Sequence, residues 1–295
     1  MSDTATLGSR AGAFAKDLVE LTKPRIISLL LVTTIAPMFV AGQPSWQLVL
    51  AVLVGGYLMA GGANAVNMYI DSDIDDRMAR TRLRPIPSGR MQPREALAFG
   101  LLLATTATFL LATFANVIAA ALALGGFYFY VLLYTRWLKR STPQNIVIGG
   151  AAGAFPPLVG WAAVTGSLDL MAVYLFLIVF YWTPPHFWAL ALNKQKDYGS
   201  AGVPMAPLIW GEKETKRQML WYTVILIALT VLPWVMGALG LVYLVSALVL
   251  GAIFLEGVIR VLRAEDFVKP AWHIYKFSLL YLALLFAAMV VDRVI

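Results

Sequence analysis

Nine long stretches of largely apolar sequence constrain the fold of this chain more than any other feature. An α-helix needs about 20 mostly apolar residues to cross the hydrocarbon core of a bilayer. Only 13% of the residues are charged, against about 25% in a typical soluble domain, so the chain has too little polar surface for a water-soluble globule. The sequence therefore predicts an all-α polytopic membrane protein. Its nine predicted spans lie near residues 26–42, 46–69, 95–113, 115–135, 144–164, 169–190, 220–238, 241–259 and 272–291.

The lysines and arginines alternate between the two sides of these spans. They cluster before span one and after spans two, four, six and eight, whereas the opposite loops at 42–45, 166–168 and 237–240 carry none. The positive-inside rule then predicts a cytoplasmic N-terminus and a periplasmic C-terminus. An even number of spans would break the alternation. The same pattern accounts for the net charge of +7, which is therefore no argument for binding of nucleic acid.

The chain is predicted to form one membrane domain behind a short tail. Residues 1–22 lack the long apolar core of a secretory signal and the arginine-rich, acid-poor composition of a transit peptide. We interpret them as a cytosolic N-terminal tail, with 13–22 as a candidate interfacial helix. Residues 23–295 are predicted to form two four-helix halves, about 23–140 and 141–260, followed by a ninth helix at 272–291. The short N-terminal segment favours a multi-pass protein of the bacterial inner membrane.

An acidic stripe marks the end of span two. Asn67, Asp71 and Asp75 recur at every fourth position, which places them on one face of a helix. Cysteine is absent and there are only two histidines, so oxygen atoms are the remaining metal ligands. Magnesium typically takes one or two carboxylates together with phosphate oxygens, and the neighbouring arginines suit phosphates. The loop therefore predicts a metal-bridged diphosphate, the alternative being a charged loop that is merely solvated.

A second polar motif follows span six and repeats part of the first. Asn193 and Asp197 are four residues apart, with Lys194 and Lys196 beside them and Tyr198 next. The two motifs lie four spans apart and on the same predicted side of the membrane. Paired half-sites in pseudo-repeated halves are common among membrane proteins. We expect the two loops to meet at one site.

These motifs resemble those of the UbiA superfamily of intramembrane prenyltransferases. The pattern NxxxDxxxD stands here as Asn67, Asp71 and Asp75, and the second motif, usually DxxxD, stands as Asn193 and Asp197. Asparagine at the first position of the second motif makes that ligand neutral. Further stretches resemble the haem-farnesylating branch of the superfamily, and the resemblance covers nearly the whole chain after residue 20. These stretches are 21–25, 71–87, 134–150, 183–190 and 197–205.

The resemblance implies a fold and a reaction. The fold would be a ring of nine transmembrane helices around a central cavity, with the acidic motifs at its cytosolic mouth. The reaction would transfer farnesyl from farnesyl diphosphate to a vinyl group of haem B, with addition of water, giving haem O and diphosphate. Magnesium would be the cofactor, haem B a substrate, membrane lipid the surroundings, and a haem A synthase a downstream partner.

Each polar residue of the two motifs has an expected role in that reaction. Asp71, Asp75, Asn67 and Asp197 are expected to bind the metal. Arg77, Lys139 and Lys194 are the first candidates to share the charge of the departing diphosphate. Further residues are expected to contact substrate, namely Lys23, Arg25, Arg140, Asn193, Lys196 and Tyr198.

His186 has two interpretations at this point. It lies seven residues before Asn193 and therefore projects from roughly the same face, deeper in the membrane. An ionisable side chain inside a span is a functional candidate, and histidine is a common haem ligand. It could equally bind a neighbouring helix beside the break at 184–185. The glutamate at 256 is predicted to pair with Arg260 one turn later.

Three other functions remain open from the sequence. A sister prenyltransferase acting on an aromatic acid or a quinone precursor would share the diphosphate site and differ in its acceptor pocket. A membrane transporter could also use paired half-sites in a pseudo-repeat. A structural assembly partner for an oxidase would tolerate the loss of Asp71.

Overall fold

The computed structural model describes residues 2–295, with side chains from Gly12 onward. Within this part of the chain, nine helices are long and apolar enough to cross a membrane, as predicted. Further helices outside the spans cover Ser2–Thr22, Ser72–Asp75, Gln195–Ser200 and Ala206–Ile209. The nine spans, numbered in chain order, are Pro24–Ala41, Trp46–Ile70, Pro93–Phe114, Val117–Ser141, Asn145–Thr165, Leu170–Asn193, Glu212–Val235, Leu241–Arg263 and Val268–Val294.

Three predicted boundaries are wrong. Span seven begins at Glu212 rather than near 220, because its charged first turns continue the helix beyond the apolar stretch. Span four runs on to Ser141 instead of ending near 135. The N-terminal helix is Ser2–Thr22, longer than the 13–22 segment that the sequence suggested. The predicted pair between Glu256 and Arg260 is confirmed.

The spans form a closed ring. Successive spans pack against each other, and span nine returns to pack against span one and span six. Buried apolar side chains form two large clusters, one mainly from spans two to five and the other mainly from spans five to nine. Large apolar side chains on the outer surface, such as Leu50, Phe109 and Val245, are exposed, as expected of a surface in contact with lipid. The polar motifs lie at one end of this ring.

A carboxylate from span nine caps the start of span eight. Asp292 accepts the backbone N–H of Gly240 at 2.5 Å and that of Tyr243 at 3.0 Å. A side-chain cap of this kind stabilises a helix by about 0.5–2 kcal/mol. We expect Asp292→Ala to lower the melting temperature in detergent. Asp266→Ala is the control, since that exposed carboxylate accepts only a long bond at 3.3 Å from Val268 two residues later. Equal melting temperatures for the two variants would contradict the proposed cap.

Candidate active site

Span four changes its helical form beside the first acidic motif. It begins as an α-helix and continues as a π-helix over Phe129–Leu138. The Thr135 hydroxyl donates to the Tyr130 carbonyl five residues earlier, at 2.8 Å, which fits the wider π-turn. The wider turn lets Thr135 and Lys139 both reach span two, where they contact Asn67 and Asp71. Helices of this form are rare and occur frequently at functional sites.

Asn67 is held in one orientation by its neighbours. Its Nδ2 donates to Asp71 Oδ2 at 2.7 Å and to Thr135 Oγ1 at 3.1 Å. Because Thr135 uses its only hydrogen on the Tyr130 carbonyl, its oxygen must accept here, which fixes which end of the amide is nitrogen. The amide oxygen of Asn67 accepts from Lys23 Nζ at 2.9 Å. Asn67 therefore links spans one, two and four.

Asp71 and Asp75 each have one oxygen in close contact with a cation. Lys139 Nζ lies 2.5 Å from Asp71 Oδ2, and Arg84 Nη1 lies 2.5 Å from Asp75 Oδ2. Both aspartate side chains are only 1% exposed, yet Oδ1 of each is buried and has no hydrogen-bond partner among the described residues. Buried unpaired polar atoms are rare and costly in folded proteins. Two unpaired carboxylate oxygens fit the hard oxygen ligands that magnesium requires.

Arg140 joins the loop after span two to the end of span four. It donates two hydrogen bonds of 2.7 Å to the half-exposed Asp73, and these bonds lower the pKa of that carboxyl. It also donates to the Ile70 carbonyl at 2.8 Å. Its approach to Asp71 Oδ1, at 3.7 Å, is too long for a hydrogen bond. Asp73 is thus the anchor of Arg140, and Asp71 keeps a free oxygen.

Lys23 enters the site from a strained position. It connects the N-terminal helix to span one with a φ of 55°, in the left-handed region that few non-glycine residues adopt. Burial of its ammonium group lowers its pKa to about 7, with Arg84 adding to the decrease and Asp75 and Asp71 opposing it. A cation held in this way is available to an added negative group. Lys23 therefore belongs to the same charge cluster as the two aspartates.

The sequence of this chain is similar to those of known proteins. Residues 29–289 match the UbiA prenyltransferase family. This chain belongs to that family. It is 56% identical over its whole length to the protoheme IX farnesyltransferase of Roseiflexus sp. (strain RS-1), of which it covers 55%, so it spans about half the length of that relative. It is 50% identical to the protoheme IX farnesyltransferase of Gloeobacter violaceus, over 97% of this chain and 94% of that protein.

Solved structures share the fold. A UbiA homologue from Archaeoglobus fulgidus bound to DMAPP and Mg²⁺ has a TM-score of 0.68 at 15% identity, covering 92% of this chain and 99% of the other. A UbiA homologue from Aeropyrum pernix K1, solved in its apo form, has a TM-score of 0.75 at 18% identity over 92% and 98%. The predicted fold class is confirmed, and the protein is a multi-pass membrane protein.

In the described part of the chain, the polar side chains of the second motif are not hydrogen-bonded to those of the first. Asn193 Nδ2 donates to the Ala189 carbonyl, one turn back in its own helix, and Asp197 is half-buried. Within the described residues, no ion pair or side-chain hydrogen bond joins Asp197 or Lys194 to the first motif, and no three acidic or histidine side chains are grouped to hold a metal. The shared metal site therefore remains a prediction.

The remaining predicted residues differ in their exposure. Arg25, Arg77 and Lys196 are exposed, and the carbonyl of Arg77 accepts from Ser200 at 3.0 Å, which ties the first loop to the helix after span six. Tyr198 is buried, and this burial raises its pKa. His186 is buried within span six.

Three residues of the site were not selected from the sequence. Arg84 reaches Asp75 across a turn, so no helical spacing connects the two. Tyr130 and Thr135 are five residues apart, a spacing that indicates a shared face only in a π-helix. A search restricted to α-helical periodicity could not find them. A polar threonine and a tyrosine within an apolar span were the available signal.

Proposed function

We propose that this protein transfers a farnesyl group from farnesyl diphosphate to a vinyl group of haem B, with addition of water, giving haem O and diphosphate. The observation that carries prenyl transfer is the pair of buried aspartates, each with one unpaired oxygen and each beside a cation. The choice of acceptor is supported by relatives named protoheme IX farnesyltransferase, which are 56% and 50% identical over 100% and 97% of this chain.

Asp71 and Asp75 would hold magnesium through their unpaired oxygens. Asn67 and Asp197 are the further proposed ligands, and Asn67 would have to turn toward the metal from its present partners. Bound magnesium stabilises the negative charge that develops on the leaving diphosphate. Lys139 and Arg84 hold the two carboxylates in place, so that each would offer its second oxygen to the metal.

The cations of the cluster would bind the diphosphate. Charged donors that are already in place stabilise developing charge without reorganisation. Lys139 and Arg84 could share their bonds between carboxylate and phosphate, since each has further N–H groups. Arg77 and Lys194 would approach from the two loops at the mouth. The other residues proposed to contact substrate are Lys23, Arg25, Arg140, His186, Asn193, Lys196 and Tyr198.

The interior of the ring would hold the farnesyl chain. The bond between the allylic carbon and the diphosphate oxygen breaks, the terminal vinyl carbon of haem bonds to the allylic carbon, and water adds to the inner vinyl carbon with loss of a proton. Apolar walls would keep water from the allylic cation. Tyr130 and Tyr134 stack at 5.6 Å next to Thr135, and their faces could stabilise such a cation.

The proposed setting is the bacterial inner membrane, with the two loops on the cytoplasmic side. Both substrates carry negative charge at one end and an apolar body, which suits a site at a membrane surface. The product is a more hydrophobic haem, so the enzyme class that consumes it would oxidise that haem further, as a haem A synthase does. A binding complex with such an enzyme is part of the proposal.

A product assay tests this function. Membranes that contain the protein, supplied with haem B, farnesyl diphosphate and magnesium, should give a haem of the mass expected for the hydroxyethylfarnesyl derivative. EDTA should remove the product and an excess of magnesium should restore it. If haem were unchanged and 4-hydroxybenzoate were prenylated instead, the acceptor assignment would be wrong. If neither acceptor were prenylated by folded protein, prenyl transfer itself would be excluded.

A further inference from the structure

His186 is held between two aromatic rings. Its ring centroid lies 4.3 Å from that of Trp182, at an interplanar angle of 16°, and 4.9 Å from that of Tyr275, at 26°. Among the described side chains, Trp182 and Tyr275 do not stack on each other, so they cover opposite faces of the imidazole. Trp182 belongs to span six and Tyr275 to span nine. The plane of the imidazole is thus fixed by two helices.

A serine on span nine fixes the remaining rotation of the ring. Ser278 is fully buried, and its Oγ lies 2.6 Å from His186 Nδ1. The same hydroxyl donates to the Tyr275 carbonyl at 2.6 Å. A hydroxyl has one hydrogen to donate, so in its contact with His186 the oxygen of Ser278 must accept. Nδ1 therefore carries a proton, and in the neutral imidazole Nε2 has the free lone pair.

The free nitrogen is not completely enclosed by the protein. Nε2 has no hydrogen-bond partner among the described residues, and it is not one of the fully enclosed unpaired side-chain atoms. The side chain as a whole is only 6% exposed, so this small opening includes Nε2. Ser278 also holds Trp182, since its backbone carbonyl accepts from Trp182 Nε1 at 2.8 Å. Ser278 therefore contacts both His186 and the tryptophan that stacks on it.

This arrangement is that of a metal-binding histidine. Histidines that bind metals almost always donate the other ring N–H to a fixed acceptor, which sets the tautomer and the direction of the lone pair. A histidine whose only role was to join two helices would not need a partly exposed Nε2 with a free lone pair. In the neutral tautomer that Ser278 selects, the imidazole can bind iron but cannot donate from Nε2 to an aromatic carboxylate.

We propose that His186 Nε2 is an axial ligand to the iron of the haem acceptor, and that Ser278 is the positioning residue that selects its tautomer. The proposal rests on haem as the acceptor in the proposed function. It assigns the acceptor end of the site to spans six and nine, whereas Asp71 and Asp75 follow the end of span two. It also gives a physical reason for preferring an iron tetrapyrrole over a metal-free aromatic acceptor.

Titration of the purified full chain with haem B, without farnesyl diphosphate, tests the proposal. The Soret and α/β bands report iron ligation, which a purely structural role of the histidine would not change. We expect His186→Gly to lose the bands of imidazole-ligated haem and to regain them with added imidazole. Ser278→Ala should weaken haem binding by about 10-fold to 100-fold, as losses of such outer partners do, whereas Ser278→Thr, which keeps the hydroxyl, should bind nearly as tightly as the unchanged protein.

Thr223→Val is the matched control. Thr223 is a fully buried hydroxyl that donates only to the Met219 carbonyl of its own helix, at 2.8 Å. Its replacement should leave the haem spectrum unchanged. The proposal would be overturned if His186→Gly and Ser278→Ala both showed the same haem bands and the same haem affinity as the unchanged protein. That result would count against iron ligation even if the protein formed haem O. Loss of haem binding in Ser278→Ala without change of the bands in His186→Gly would overturn it as well.

Discussion

Asp71→Asn should reduce the rate of prenyl transfer by about 100-fold to 1,000-fold. Losses of this size follow removal of one strong electrostatic contact in an active site. Asp71 lies at 1% exposure beside Lys139, and its second oxygen is unpaired. The amide removes the negative charge that would bind magnesium. It also leaves the ammonium of Lys139 without a counterion. Initial rates at saturating magnesium and farnesyl diphosphate measure this effect.

Asp73→Asn is the control for Asp71→Asn. It makes the same chemical change two residues away, but the Asp73 side chain is 53% exposed and pairs only with Arg140. Exposed ion pairs contribute about 0–1 kcal/mol, so the rate should change by only a few-fold. A rate within tenfold of normal for Asp71→Asn would contradict the proposed metal ligand. Equal losses of rate in Asp71→Asn and Asp73→Asn would indicate that both substitutions disturb the folding of the loop.

Gly160→Ala should prevent spans one and five from packing. A Cβ at position 160 would lie 1.8 Å from the Thr34 carbonyl oxygen and 2.8 Å from its carbonyl carbon. Backbone atoms cannot rotate away as a side chain can, so the two helices would have to separate. Overpacking of a core costs about 1–3 kcal/mol and sometimes more, and we expect the upper end or beyond. Unfolding in denaturing detergent, followed by circular dichroism, measures the loss.

Gly153→Ala is the matched control in the same span. No atom lies within 4 Å of the position that its Cβ would take. Alanine favours a helix over glycine by about 1 kcal/mol, so this variant should be as stable as the unchanged protein or more so. If Gly160→Ala unfolded at the same detergent fraction as Gly153→Ala, the close approach of spans one and five would be disproved.

Much of the fold follows from local sequence. A span is defined by the length and polarity of one segment, so nine apolar stretches predicted nine helices. The spacing of Asn67, Asp71 and Asp75 predicted a shared helical face, and Asn67 and Asp71 touch at 2.7 Å. The continuous helix was wrong for Asp75, because span two ends at Ile70 and Asp75 belongs to the separate short helix Ser72–Asp75. The predicted ends of a span differ from the structure where the helix extends past the apolar stretch, as it does at Glu212. Helical periodicity contains no information about such ends.

The contacts of the candidate site depend on the tertiary structure. Lys139 meets Asp71 across 68 positions of sequence, and His186 meets Ser278 across 92. Such partners are chosen by the way helices pack, which no pattern within one helix records. The sequence by itself determined how many helices cross the membrane and which acidic residues lie at their ends. Only the tertiary structure decided which cation neutralises each carboxylate and which nitrogen of His186 is free, because both depend on atoms supplied by distant spans.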